Sequence, residues 1–285
     1  MTRIRTVALA LALALSLAGT AFPAVAQDDA LTDAVHATVA TGSVALDMEY
    51  VIEGWQDGEI RTLTMTASGV TILGSERRMT LSADMTDYGL GELDMIVTDG
   101  RLYLRGDAFA ESFGEGTWVA VDLDSTDPIA MELTSTISGT NDASLALFWL
   151  LGATRGPAVI KTERVGDVMT DRMVVPVDLG VALERIPADL QPVLASGIEQ
   201  VRTIGIEPIF STDVWVGVDD GLIHRVRYEF EDIPVGVSQM TITYDFHDFG
   251  IEVDPELPDP ADVFVIGDDD VQLSERPDGP GTAEA

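Results

Sequence analysis

The sequence predicts an α+β chain: one long, curved, mainly antiparallel β-sheet with helices laid over its dry face. Three observations predict it. Between residues 43 and 123 apolar side chains recur at every second position, the period of a half-buried strand. Asp-Gly pairs at Asp57-Gly58, Asp99-Gly100 and Asp220-Gly221 punctuate such runs as hairpin turns do. Segments of helical spacing flank the strands, the most apolar being "ASLALFWLLGATRG" at 143–156.

Positions 1–26 stand outside this pattern. Arg3 and Arg5 precede the apolar run "VALALALALSLAG" (7–19), and Ala24–Ala26 offer the small residues that signal peptidase reads. A secretory signal peptide is expected there, too short in its apolar part to anchor firmly in a bilayer. "DALTDAVHATVATG" (29–42) then sets Leu31, Ala34, Val35, Thr38 and Val39 at helical spacing, with Gly42 as the stop. After it the period changes to two. Val44, Leu46, Met48, Tyr50 and Ile52 alternate with polar positions, as do Leu63, Met65 and Ala67, and then Met79, Leu81, Ala83 and Met85. "ELDMIVTDGRLYLRG" reads as a further hairpin, and "GTWVAVDL" (116–123) closes a set of about six strands.

A sheet that is dry on one face must be covered. "DPIAMELTSTISGTNDASLALFWLLGA" (127–153) reads as the cover, one or two helices capped by Asp127 or by Asn141 and Asp142. Its apolar part would be about 15 Å long as helix, whereas a bilayer needs about twenty residues. It is expected to be buried or to face a cavity. Strand resumes where Met173, Val175, Val177 and Leu179 alternate, and Pro176 implies an edge position. Residues 186–201 read as a helix. A clear hairpin follows, in which Val214, Val216 and Val218 lead to Asp220-Gly221 and Leu222, His224, Val226, Tyr228 and Phe230 share a face. "SQMTITYDFHDFG" (238–250) reads as the last strand. One domain is expected over 27–266, followed by an acidic, disordered Pro/Gly-containing tail over 267–285.

The net charge is −33, from 49 Asp plus Glu against 16 Lys plus Arg. Nucleic acid and anionic lipid headgroups would be repelled, so neither is expected as a partner. Cysteine is absent, which removes disulfides, thiol nucleophiles and lipidation alike. "LAGT" (Leu17–Thr20) matches a bacterial lipobox except that Thr20 stands where the lipidated cysteine would be. The mature protein is read as exported, soluble, monomeric and not lipid-anchored.

No catalytic constellation is legible. His36, His224 and His247 form no ligand spacing, and HExxH, GxSxG, Walker and strand-linked GxGxxG motifs are absent. Asp122, Asp124 and Asp127 make the best calcium-like run, but a calcium loop wants Gly at its sixth position and Glu at its twelfth, where Asp127 and Leu133 stand. Arg105–Asp107 reads as a turn at a strand end. No catalytic residue, metal or cofactor is assigned. The methionines say more. Met48, Met65, Met79, Met85 and Met95 fall on the apolar phase of successive strands. Methionine is flexible and fills irregular space, which suits either an adaptable cavity or a plain core.

"LDMIVTDGRLYLRG…GTWVAVDL", "DVWVGVDDGLIHRVRYEF" and "TITYDFHDFGIEVDPELPDPADV" together resemble the LppX/LprG-type (LppX_LprAFG) family of actinobacterial exported lipoproteins, in order, over about residues 30–264. The resemblance implies a LolA-like fold, a half-open β-barrel with helices plugging its concave face. It also implies an activity without chemistry: holding acyl chains of lipids or glycolipids in that hollow and carrying them between membranes. The family's cavity is lined by generic apolar side chains, so the carry-over is by face. The matching positions are Leu46, Met48, Tyr50, Met65, Met79, Leu81, Met85 and Met95 on the early strands. Leu147, Phe148, Trp149 and Leu151 match on the apolar helix, with Val216, Val226 and Tyr228 on the later hairpin. Many family members are tethered through the cysteine that Thr20 replaces here, which favours a soluble shuttle or scavenger.

The rival expectation is an envelope sensor or adaptor of the same fold, binding a protein partner such as an envelope membrane protein through the wet face or an edge strand. A hydrolase or metal-dependent enzyme ranks last.

Overall fold

The computed structural model describes residues 27–56, 59–74, 78–127, 143–155, 158–203, 207–233 and 237–266. The signal peptide expected at 1–26, the Asp57-Gly58 turn, the first part of the apolar block (128–142) and the tail at 267–285 lie outside them.

Twelve strands form one sheet: β1 (Ser43–Gln56), β2 (Glu59–Ile72), β3 (Met79–Met85), β4 (Gly91–Thr98), β5 (Arg101–Gly106), β6 (Trp118–Asp122), β7 (Ala158–Val165), β8 (Val168–Asp178), β9 (Ile209–Gly217), β10 (Ile223–Ile233), β11 (Val237–His247) and β12 (Val263–Ile266). Their order is β12-β6-β5-β4-β3-β2-β1-β11-β10-β9-β8-β7, so the sheet ends in two open edges and does not close into a barrel. Every neighbouring pair is antiparallel except β12 with β6. The expected curved sheet is the fold.

The period-two pattern sets the two faces. Across the dry face Met48 stands opposite Tyr244 and Ala67, and the row continues through Val226, Val214 and Met173 on one side and Ala83 on the other. Asp99 and Gly100 both take positive φ, 52° and 75°, the backbone of a two-residue hairpin between β4 and β5.

Among the described residues, five helices accompany the sheet: α1 (Gln27–Ala40), α2 (Asp107–Phe113), α3 (Ala143–Trp149), α4 (Leu179–Arg185) and α5 (Gln191–Thr203). Helix α1 buries Leu31, Ala34, Val35 and Thr38. The Thr38 hydroxyl donates to Ala34 O at 2.7 Å and accepts from the Ile223 backbone N–H at 2.9 Å, fastening the helix to β10. Six of the seven residues of α3, all but Trp149, are buried, and a 3-10 turn (Leu150–Gly152) continues it. Arg185 of α4 donates to Leu151 O at 2.8 Å.

Several expectations are corrected. Leu179 does not extend β8; Asp178 accepts from the Gly180 and Val181 amides and caps α4 there. The expected helix at 186–201 begins at Gln191, because Ile186–Leu190 is a connecting turn. Pro176 is not on an edge strand, since β8 lies between β7 and β9. It sits beyond the last β7 rung, Ala158↔Val174, beside only the isolated bridge Ala153↔Val177, where the Thr154 amide donates to its carbonyl at 3.0 Å, so its missing N–H breaks no rung of β7. Arg105–Asp107 is no simple turn: Gly106 still pairs with Leu93, and Asp107 opens α2. The last strand is β12 and not β11. Four residues are too few to show a period, and a parallel partner leaves no hairpin signal. β7 was also unforeseen. It is an edge strand, exposed along most of its length, with a register shift between Val159 and Lys161.

Gly69 lies where β2 and β3 approach closely; a Cβ there would stand 2.0 Å from Thr80 O. Gly69→Ala is expected to destabilise the fold by about 1–3 kcal/mol, as overpacking does. The midpoint of urea unfolding would fall accordingly, and an unchanged midpoint would refute the close approach.

Candidate functional site

The dry face and its cover form one apolar cluster. It holds buried Leu46, Met48, Leu81, Met95, Leu147, Phe148, Leu151, Val226 and Tyr228. Tyr50, Met65, Met79, Met85, Trp149 and Val216 pack against it, partly buried. The positions named from the sequence for an apolar cavity all belong to this cluster, contributed by six strands and the α3 segment. The five methionines come from four adjacent strands, β1 to β4.

A polar contact within this cluster ties the cover to the sheet. The Tyr228 hydroxyl donates to the Ala146 carbonyl of α3. Burial pushes the Tyr228 hydroxyl well above its ordinary pKa, so it stays a donor. Around it runs a string of edge-to-face aromatic contacts: Trp149–Tyr228 at 5.2 Å, Phe210–Tyr228 at 5.7 Å, Trp149–Phe210 at 6.2 Å and Phe210–Phe230 at 5.0 Å between ring centroids. Phe210 was missed in the sequence reading. The signal was present, because Phe210, Thr212, Val214 and Val216 continue one phase of β9. The Trp149 indole N–H is buried and, among the described residues, has no acceptor. It is a donor left open inside an apolar cluster, and such groups are costly unless something accepts from them.

At the other end, Tyr50 donates to Met240 Sδ at 3.0 Å. Burial, aided by the neighbouring Tyr88, pushes its pKa up to about 12.

The wet face is organised differently. Lys161, Arg172, Trp215, Arg225, Asp245 and Asp47 stand in one cross-strand row. The Trp215 ring has Arg172 at 5.2 Å and Arg225 at 5.7 Å, cation–π distances. Its indole donates to Glu163 at 2.8 Å. Arg172 holds Asp213 bidentately, and Arg225 holds Asp245 likewise. Beside this row lies a hollow of about 1120 Å³ whose lining includes Asp47, Glu49, Glu53, Asp84, Glu92 and Asp245, with Arg225 and Arg227. A second hollow, of about 640 Å³, lies where β9 and β10 part and is bounded by Phe210, Phe230, Arg227 and Glu229 among others.

The histidines sit apart. His224 is buried with its ring on Asp220 at 2.9 Å, and His247 lies between Asp47 and Asp248. Asp122 of the calcium-like run pairs with Arg101 at 2.6 Å. Among the described residues, no three His, Asp or Glu side chains gather as a metal site would need, and no helix is long and apolar enough to cross a membrane.

No family model matches the chain. No curated protein matches it either. Among solved structures it is similar to the Mycobacterium tuberculosis lipoprotein LppX, at 14% identity over 80% of this chain and 98% of that one, TM-score 0.45. It is similar to LprF from Mycobacterium bovis at 11% identity over 84% and 98%, TM-score 0.46. A LolA superfamily protein from Nitrosomonas europaea aligns at 8% identity over 81% and 94%, TM-score 0.26. The first two carry names of the family that the sequence resembles. At these identities the function has to be argued from this chain's own residues.

A tyrosine whose pKa is raised on folding stabilises the protein below its unfolded pKa, and that contribution is lost as pH rises toward the folded value. For Tyr50 the window runs from 10.0 to about 12. Thermal stability is expected to fall across it, and Tyr50→Phe to fall less steeply; equal slopes would refute the buried hydroxyl.

Proposed function

We propose that the protein is an exported carrier that holds the acyl chains of a lipid or glycolipid between the sheet and its helical cover, without chemistry. The observation that carries this reading is the convergence of five methionines and an aromatic string on one apolar cluster behind an unclosed sheet. Methionine has three rotatable bonds and repacks at little cost, so such an interior can yield to a guest. Each buried methylene contributes about 0.8 kcal/mol. Ten of them contribute about 8 kcal/mol, the scale of micromolar binding before association costs. The missing lipobox cysteine at Thr20 fits a shuttle that is not tethered.

A second reading has its own observation. The wet-face hollow carries more carboxylates than guanidinium groups, which suits an adaptor that takes a basic protein segment.

Native mass spectrometry of protein purified without detergent from a lipid-containing host separates the two. Extra mass that extracts as acyl lipid is the expected result. Met48→Glu, which places a charge in the cluster, should reduce that bound fraction at least tenfold. A bare polypeptide mass, unchanged after incubation with host lipid extract, would sink the carrier and leave the adaptor.

A further inference from the structure

We propose that the parting of β9 from β10 is the port through which an acyl chain reaches the apolar interior, with Phe210 and Phe230 as its gate; the inference rests on the carrier reading above. The two strands pair from Ile223↔Val216 to Tyr228↔Thr212. At the last rungs the Thr212 hydroxyl donates to the Arg227 carbonyl at 2.9 Å. Beyond that point the strands go separate ways. Ile209, Phe210 and Ser211 stay with β8, while Glu229, Phe230 and Glu231 stay with β11. Three residues of strand span about 10 Å, so the sheet carries a slot of that height between two strands that are paired elsewhere.

The hollow of about 640 Å³ fills this slot, and it is bounded from both faces of the sheet. Arg227, Glu229 and Glu231 come from the wet face, Phe210 and Phe230 from the dry face. Backbone groups along a parted pair of strands need partners, which keeps the outer part of the slot wet. Its inner wall is apolar. Phe210 and Phe230 meet edge to face at 5.0 Å, and Phe210 touches Trp149 and Tyr228 behind it. A single layer of rings thus lies between the slot and the interior. Both rings are only partly buried, so their displacement does not require the core to open.

The arrangement also fixes how a guest would lie. Its tail passes the rings toward the methionines. Its acyl carbonyl stops near the Trp149 N–H, which has no acceptor among the described residues. Its polar end remains in the slot, where Arg172 is held by Asp213 and Arg227 lies 3.4 Å from Glu229, which leaves Glu207 and Glu231 as the surplus charge that repels an anionic head. The guest is therefore an acyl ester with an uncharged or cationic head.

The protein has no cysteine, so a single pair can be introduced. Ser211→Cys with Glu229→Cys places thiols on the two lips of the slot, to be joined by a cleavable bifunctional linker with closure verified by mass. Uptake of a pyrene-labelled hexadecanoyl methyl ester from neutral phosphatidylcholine vesicles is then followed by fluorescence. The expected result is an uptake rate at least tenfold lower in the joined protein, restored on cleavage. A joined Glu49→Cys/Thr243→Cys pair, on rungs that are already paired, should leave the rate unchanged. Phe210→Ala with Phe230→Ala, which removes the gate and forms no cross-link, should raise it at least threefold. If the parent takes up the ester and neither joining the lips nor trimming the rings changes the rate, the port is wrong and the carrier stands. If the parent takes up no ester, both fall.

Discussion

A sheet that is apolar on one face and open at both edges has to find cover, and most of this molecule is an answer to that requirement. Alternation held through successive strands puts Leu46, Met48 and Tyr228 on the same side as Leu81 and Met95. Burying that side is the main favourable contribution to folding. The cover is made of short pieces, none able to stand alone as a helix in water. Two of these pieces, α1 and α3, are fastened by polar contacts as well as by packing. Thr38 bridges α1 to the Ile223 amide, Ser144 accepts from the Gly74 amide at 3.0 Å, and Tyr228 reaches the Ala146 carbonyl. These bonds fix register where apolar packing alone would allow sliding.

The two faces solve different problems. On the dry face, side chains of different sizes fill space between the sheet and pieces that do not match it perfectly, and methionine suits that task. On the wet face, Arg172 pairs with Asp213 and Arg225 with Asp245 across neighbouring strands, with Trp215 between the two guanidinium groups. Exposed pairs of this kind contribute little each. Their value lies in keeping a strongly acidic sheet from repelling itself along adjacent strands.

Much of this was legible in the sequence, because period two is a local property. The six early strands, the Asp99-Gly100 hairpin and the apolar residues of the interior could be read from neighbours a few positions apart. What escaped was non-local or patternless. β7 is exposed on both sides over most of its length, so it has no alternation to show. β12 is too short, and its partner β6 lies far back in the chain. Pro176 obeys the rule that proline avoids sheet interiors, but it satisfies the rule by lying past the end of β7, which no single-strand argument can see. The parting of β9 and β10 depends on which neighbour each strand keeps. Phe230 therefore looked like an ordinary member of its strand, and Phe210 did not stand out at all.

The open edge at β7 bears on how copies of the molecule behave together. Val159 and Ile160 are 51% and 54% exposed there, beside a row of backbone groups that a second chain could adopt as its own. Long bare edges of this kind polymerise unless something interrupts them. Here the strand breaks register between Val159 and Lys161, and the chain's single lysine stands at that break, 2.6 Å from Glu163. A net charge of −33 keeps copies apart in dilute salt, but concentrated salt screens that repulsion. The irregular edge does not depend on ionic strength.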